Sequence, residues 1–385
     1  MRKRIFSGIL IFLLALPLIM WLLWLITPNT KMVIAIVDKT VLTPETQEHL
    51  SLNWILNHEK YTKTSEDAYE PEHDYFGFFP AENDTFELRG LERFFFTKLD
   101  QLSTDAEVAY FTDTYGIYKN EWYKKGDDKE RSGLLYGGLS NKDIQLLELM
   151  KQKKKLIITE FNTIGSPTSF ANRTRFEELF QLEWTGWTAR YFDNLNIQEN
   201  KEIPKWLIKN YKNTHMGRWP FKNSGIAFVN NKEQVVILEN KTHLNQALPH
   251  ILTSKDFQEL YSLPESVKYP FWFDIIEPNK KINTTVSSFK IDANSKGMKE
   301  LKRFGIPSDF PAVLQHVGED YKFYYFSGDF ADNPINMTSS YFSGIGYFKS
   351  FFYDKRNTME RSSFFWEYYK PLVSNILYQH TVQSN

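Results

Sequence analysis

No cysteine occurs anywhere in this chain of 385 residues. That excludes disulfide bridges, thiolate zinc sites and a cysteine nucleophile. Proteins outside the cytoplasm often lean on disulfides, so this one must be held by its core. Histidine is sparse as well. The eight histidines are scattered, with no H-x-x-x-H or H-E-x-x-H spacing. A histidine-based metal site is therefore not expected, and no cofactor is assigned. An excess of positive charge is also missing: 46 Lys and Arg stand against 47 Asp and Glu. A nucleic-acid footprint needs a basic face, so no nucleic-acid partner is expected. The one dense basic run, Lys151 to Lys155, reads as the solvated end of a helix, where cations suit the dipole. There is no G-x-S-x-G elbow, no G-x-G-x-x-G and no Walker motif.

What is present begins with an apolar run. Residues 5–26, IFSGILIFLLALPLIMWLLWLI, carry no charge across 22 positions, and about 20 apolar residues span the hydrocarbon core of a bilayer. Arg2, Lys3 and Arg4 precede it and should stay cytoplasmic. The pattern predicts one transmembrane anchor in the cell membrane, a cytoplasmic N-terminus and an extracytoplasmic remainder. A cleaved signal peptide is the rival reading. Its apolar region would be about 7–15 residues long with a small-residue cleavage site, whereas this run is longer and ends in WLLWLITPNTK. Trp21 and Trp24 suit an interfacial anchor. The expected division is a tip and anchor over 1–30, an α/β ectodomain over 31–345, and an aromatic helical segment over 346–385. Residues 200–300 form either an inserted lobe or a continuation of one sheet. Without the first three basic residues the balance is 43 against 47, near −4.

Beyond the anchor, strand-like and helix-like runs alternate. Met32–Val37 reads as a strand buried on both faces. Thr43-Pro44-Glu45 reads as the start of a helix reaching about His58. Residues 61–83 read as a long loop, and 91–99 as a second helix. AEVAYF at 106–111 and LLY at 134–136 read as strands two and three. Ser140 and Asp143 have the spacing of a capping box, opening a helix to about Lys154. LIIT at 156–159 is the next strand. VVIL at 235–238 and KFYYF at 322–326 read as later strands, and 364–377 as a final helix. Residues 264–278 and 333–346 read as loops. This alternation predicts an α/β fold with a doubly wound, mostly parallel sheet.

Three of these strands end in acids: Asp38, Asp113 and Glu160. Ligands of open α/β sheets bind outside the carboxyl ends of the strands. Converging carboxylates there can hold a hard cation, act as an acid–base pair on a glycosidic bond, or accept bonds from sugar hydroxyls. Each can equally be a local cap that accepts backbone N–H groups. Asp113 and Glu160 are the catalytic candidates. Tyr115 and Asn162 follow them in Thr112-Asp113-Thr114-Tyr115-Gly116 and Thr159-Glu160-Phe161-Asn162. Gly137-Gly138 permits a tight turn and a close backbone approach. Asp274 follows the aromatic run Tyr269-Pro-Phe-Trp-Phe, and Asp329 and Asp332 follow KFYYFSG. Trp184, Trp187, Arg190 and Tyr191 are candidates for a stacking platform, although core packing explains them equally well.

The segments MVIAIVD, AYFTDTYG, LLYGGLSNKDIQLLELMKQKKKLIITEFNTIG and GIPSDFPAVLQHVGEDYKFYYFSGDF together resemble the class I glutamine amidotransferase-like superfamily, in its flavodoxin-like, trehalose-utilisation-like branch. The resemblance spans roughly residues 31–335. It implies a Gly-Gly turn before a helix and then a strand near a nucleophile elbow. At that elbow the family's cysteine is replaced by Thr159-Glu160-Phe161-Asn162. Ammonia release through a thioester is excluded, and the resemblance then implies a fold with a crevice reused for binding.

Two functions follow. One is a membrane-anchored, extracytoplasmic, amidotransferase-like domain without amidotransferase activity, binding a glycan or an envelope protein in a cell-envelope or polysaccharide system. The other is a glycan-acting hydrolase using strand-end carboxylates. The second needs two carboxyls about 5–10 Å apart around an open cleft. The first expects those acids to be engaged by backbone N–H groups. A plain scaffold, with Tyr115, Phe161 or Trp187 filling the crevice, is the third possibility.

Overall fold

The computed structural model describes residues 2–43, 48–124, 132–354 and 356–384, with side chains described between residues 14 and 382. Fourteen strands carry the architecture. They are β1 (Ile34–Asp38), β2 (Phe76–Pro80), β3 (Phe86–Leu88), β4 (Val108–Asp113), β5 (Leu156–Thr159), β6 (Leu182–Phe192), β7 (Gly225–Asn230), β8 (Val235–Glu239), β9 (Leu244–Thr253), β10 (Ser266–Lys268), β11 (Phe273–Pro278), β12 (Thr284–Ala293), β13 (Asp309–Val317) and β14 (Lys322–Phe326). Ten form one sheet in the order β10-β9-β12-β13-β14-β5-β4-β1-β2-β3. Within it, β14, β5, β4, β1 and β2 are parallel neighbours, and the outer strands join antiparallel. The fold is mixed α/β. The expected mostly parallel sheet is thus corrected to a parallel core extended by antiparallel strands. A second sheet, β8-β7-β6-β11, is antiparallel throughout, and it takes in the expected strand at 235–238.

The parallel strands are apolar on both faces because helices cover both. On one face Ile34, Ile36, Tyr110 and Ile158 pack with α2 (Leu50–His58) and with the aromatic segment that leads into the C-terminal helix Lys370–Ser384. On the other, Ala35, Val37, Phe111 and Ile157 meet α3 (Phe96–Asp105), α4 (Asn141–Gln152) and α5 (Phe170–Phe180). Such double burial explains why these strands read as unbroken apolar runs. The capping box at α4 forms as its spacing predicts: the Asp143 N–H donates to Ser140 Oγ at 3.2 Å, and the Ser140 N–H donates to Asp143 Oδ2 at 2.6 Å.

Several boundaries differ from the expectation. Among the described residues the first helix after the N-terminal one begins at Leu50, with His49 as its N-cap; Pro44 to Gln47 lie outside them. The expected loop at 61–83 contains β2. Its FGFFP sequence hides the strand, yet Gly77 is required there: a Cβ would sit 1.6 Å from the Asp38 carbonyl oxygen. Leu134–Tyr136 is a strand, but it pairs antiparallel with Ile117–Tyr118 outside the main sheet. Leu134 is 41% exposed, which suits a peripheral hairpin. Residues 264–278 hold β10 and β11 rather than loop alone.

At the N-terminus Arg2–Ile26 forms one helix, α1. Among the described residues no helix is long and apolar enough to cross a membrane. The side chains of residues 2–13, which include the first nine positions of the expected 5–26 run, lie outside those described.

Candidate functional site

The parallel block reverses direction between β1 and β4. From β1 the chain moves outward to β2, then returns to β1's other side as β4. Crevices at such reversals are where open α/β sheets take ligands. Asp38 and Asp113 end these two strands and are register partners.

Each acid is held by short local bonds. Asp38 Oδ1 accepts the Thr40 N–H at 3.0 Å, and its Oδ2 lies 2.6 Å from His49 Nδ1. The other ring nitrogen of His49 is 2.8 Å from the Pro71 carbonyl oxygen. Asp113 Oδ1 accepts the Tyr115 N–H at 2.5 Å. Burial pushes the Asp113 carboxyl well above its usual range, and the nearby charges of Asp329 and Asp38 add to the shift.

Glu48, just before His49, brings a third acid, and the loop after β14 brings two more. Carboxylate oxygens of Glu48, Asp329 and Asp332 come within 4.8 Å of one another. Burial and the charges of Asp332, Asp329, Asp113 and Asp38 raise Glu48 well above its ordinary value. One of its carboxylate oxygens, Oε2, is buried with no hydrogen-bond partner. Asp329 is pushed up to about 7 by burial and by Asp332, against the opposing Arg361. Arg361 bridges the two, with Nη1 on Asp332 and Nη2 3.3 Å from Asp329 Oδ2. Its guanidinium also stacks 4.1 Å over the Phe271 ring. Burial opposes its charge, but Asp332 and Asp329 outweigh that and hold its pKa above the usual value. Among the described residues, five carboxylates therefore share the mouth of the crevice with one arginine and one histidine. No metal ligands were expected from the sequence; the acid trio is a geometry that an oxygen-seeking cation would fit.

Glu160, close enough to Asp329 to feel its charge, has its oxygens taken up by donors within the protein. Its Oε2 accepts the N–H groups of Phe330 and Ala331, each at 2.9 Å, and its Oε1 accepts the Tyr110 hydroxyl at 2.5 Å. Tyr110 in turn contacts the Tyr369 hydroxyl at 2.9 Å. Burial, helped by the charge of Asp329, raises Glu160 to about 8 against these three donors. The loop after β14 thus closes over the end of β5. Asp274 is a further separate site. It accepts bonds from the Tyr325 hydroxyl at 2.8 Å, Thr188 Oγ1 at 3.1 Å and the Asn162 N–H at 3.3 Å. Burial raises it to about 6 against those donors.

The remaining expected residues are placed as follows. Tyr115 is half-buried against Tyr118, with ring centroids 5.0 Å apart. Gly137 and Gly138 take φ values of 146° and 78°, and the Gly138 N–H donates to the Thr114 carbonyl at 2.7 Å. Asn162 adopts a left-handed turn at φ 65°. Trp187 belongs to the core and packs on Phe304 at 6.1 Å. Trp184 donates its indole N–H to the Trp187 carbonyl, and Arg190 pairs with Glu202 at 3.0 Å. A stacking platform is not assembled from these residues at the strand ends.

Lys39 was not anticipated. Its buried ammonium bonds Asp143 Oδ2 at 2.6 Å, the Gly138 carbonyl at 3.1 Å and Glu92. Burial works against its charge, yet Asp143 and Glu92 keep its pKa above the usual value. It ties the glycine turn to the end of β1. Glu48, His49 and Arg361 were also missed. Arg361 lies 29 residues beyond Asp332, a separation that carries no local pattern. Two cavities lie away from the crevice. One of about 590 Å³, beside Lys151, Leu179 and Tyr321, is at the opposite ends of β5 and β14. The other, of about 450 Å³, lies between Ile335, Phe352 and Trp366.

No family model matches the sequence, and no curated protein matches it. Among solved structures the chain is similar to a ThuA-like protein from Parabacteroides merdae, at 9% identity and a TM-score of 0.35 over 78% of this chain and 79% of that one. It is similar to a ThuA-like protein from Bacteroides uniformis at 10% identity and a TM-score of 0.33, over 82% and 89%. It is also similar to a β-galactosidase from Bacillus circulans at 8% identity and a TM-score of 0.28, over 64% of this chain and 23% of that one. The chain therefore spans about a quarter of the galactosidase. Likeness at this level identifies no activity.

Proposed function

We propose that this chain is a membrane-anchored, extracytoplasmic domain of amidotransferase-like architecture that carries no amidotransferase chemistry and binds a ligand at the acidic crevice between β1 and β4. The observation that carries this reading is the fate of Glu160. It stands where the resemblance expects the nucleophile, and three donors inside the protein occupy its oxygens. The carboxylates left at the crevice mouth favour a ligand bearing positive charge or several hydroxyl donors, such as an envelope glycan, a basic segment of an envelope protein or a hard cation. The 22-residue uncharged run behind three basic residues supports the anchor.

One observation favours the hydrolase reading instead. Asp329 is raised to about 7 beside a raised Asp113, and a general acid works best with a pKa near the operating pH. The experiment that separates the two incubates full-length chain in nanodiscs with a panel of envelope oligosaccharides. Retention of intact sugar is the expected result. Release of reducing ends that stops in Asp113→Asn and Asp329→Asn would establish the hydrolase.

A further inference from the structure

The packing of α1 fixes the height of the ectodomain relative to a bilayer, an inference that rests on the anchor reading above. Starting the hydrocarbon at Ile5, just after the last N-terminal charge, about 20 residues of helix bring it to its far boundary near Trp24. At 1.5 Å per residue, Met20 then lies about 6 Å inside that boundary. The ectodomain touches the helix at this level. The Ser343 N–H donates to the Met20 carbonyl at 3.1 Å. Tyr341 packs edge-on against Trp24 with ring centroids 4.8 Å apart. Met20 is buried by these contacts, whereas Leu14, Leu18 and Leu22 around it are 74%, 57% and 44% exposed.

The segment that follows Ser343 is therefore at the depth of the interface, and its composition suits that position. Tyr347 is 92% exposed and Phe351 is 84% exposed, in a protein that buries most of its aromatic rings. The segment is held from behind: Phe352 stacks on Trp366 with centroids 5.4 Å apart, and Ile345 packs on the core. The two outward rings are thus displayed by a supported turn. Aromatic side chains concentrate at the headgroup level of membranes. Lys349 between them has a long stem that lets its ammonium reach the headgroups.

We propose that residues 337–352 form an aromatic belt seated in the outer-leaflet interface, so that lipid covers Tyr347 and Phe351 and the ectodomain has one orientation on the membrane. The occupant of this face is the headgroup–acyl boundary of a bilayer.

The absence of native cysteine makes single-thiol labelling specific. Full-length Tyr347→Cys, Phe351→Cys and Met216→Cys, each at a position at least 84% exposed, would carry an environment-sensitive fluorophore in liposomes of phosphatidylethanolamine and phosphatidylglycerol. Lipids with a nitroxide high on the acyl chain serve as quenchers. The expected result is blue-shifted emission and several-fold stronger quenching at 347 and 351 than at 216. Labels at 347 and 351 as wet as the one at 216, on chain that resists alkaline carbonate extraction, would overturn the belt and leave the anchor standing. Chain released by carbonate would remove both. Labels shielded from water but untouched by the quencher would overturn the belt in favour of a second copy covering this face.

Discussion

At the residue scale the decisive group is Glu160. Its native pKa of about 8 lies far above the unfolded value of about 4.3. A carboxyl raised in this way binds its proton more tightly when folded. The stability it contributes is full below the unfolded value and is lost as pH rises through the native one. The wild-type melting temperature should therefore fall between pH 5 and pH 8, with this group contributing up to about 1.4 kcal/mol per pH unit. Glu160→Gln keeps the shape and cannot ionise, so its melting curve should fall less steeply over that window. Parallel curves for the two proteins would refute the buried-proton assignment. Arg361 has a pH signature of its own. Arg361→Met leaves Asp329 and Asp332 without their cation and should cost about 3 kcal/mol at pH 8. The loss should shrink at pH 5, where Asp329, with its pKa of about 7, carries a proton. Denaturant titration at the two pH values measures both. Neither partner of these acids was legible in the sequence. Strand-end position pointed to Asp38 and Asp113, but nothing local announces that an arginine 29 residues past Asp332 will fold back on it.

At the scale of elements, patterns that rest on local chemistry carried over and those that need tertiary partners did not. The Ser140–Asp143 box opens α4 because two short side chains reach two orphan N–H groups, an arrangement complete within four residues. Ser140→Ala should cost about 1 kcal/mol, read as a shifted denaturation midpoint. The strand β2 was invisible because its sequence, Phe-Gly-Phe-Phe-Pro, carries two strand-weakening residues. The reason for the glycine is the backbone of β1, packed where a Cβ would go. Gly77→Ala should separate the two strands and destabilise the protein by about 3 kcal/mol. A variant with unchanged stability would show that β2 does not approach Asp38 so closely. The hairpin of Leu134–Tyr136 teaches the converse. Its residues are β-formers, but a half-exposed run is not a central strand of a doubly covered sheet.

For the whole molecule, the doubly wound parallel core was legible because strands buried on both faces are written as unbroken apolar runs. The antiparallel extension was not, since β9, β12 and β13 alternate or carry polar residues and depend on one another for pairing. The loop after β14 closes the end of β5, and the acids gather at the ends of β1 and β4. The central claim is that this gathering, and not Glu160, is where the protein meets its ligand. Calorimetric titration of the full-length chain in nanodiscs, with calcium and then with amino-sugar and neutral oligosaccharides, tests it most directly. The account predicts a binding heat that persists in Glu160→Gln and disappears in Asp113→Asn and Asp329→Asn. Heat lost in Glu160→Gln while the two aspartate variants still bind, or no heat from any of these ligands, would contradict it.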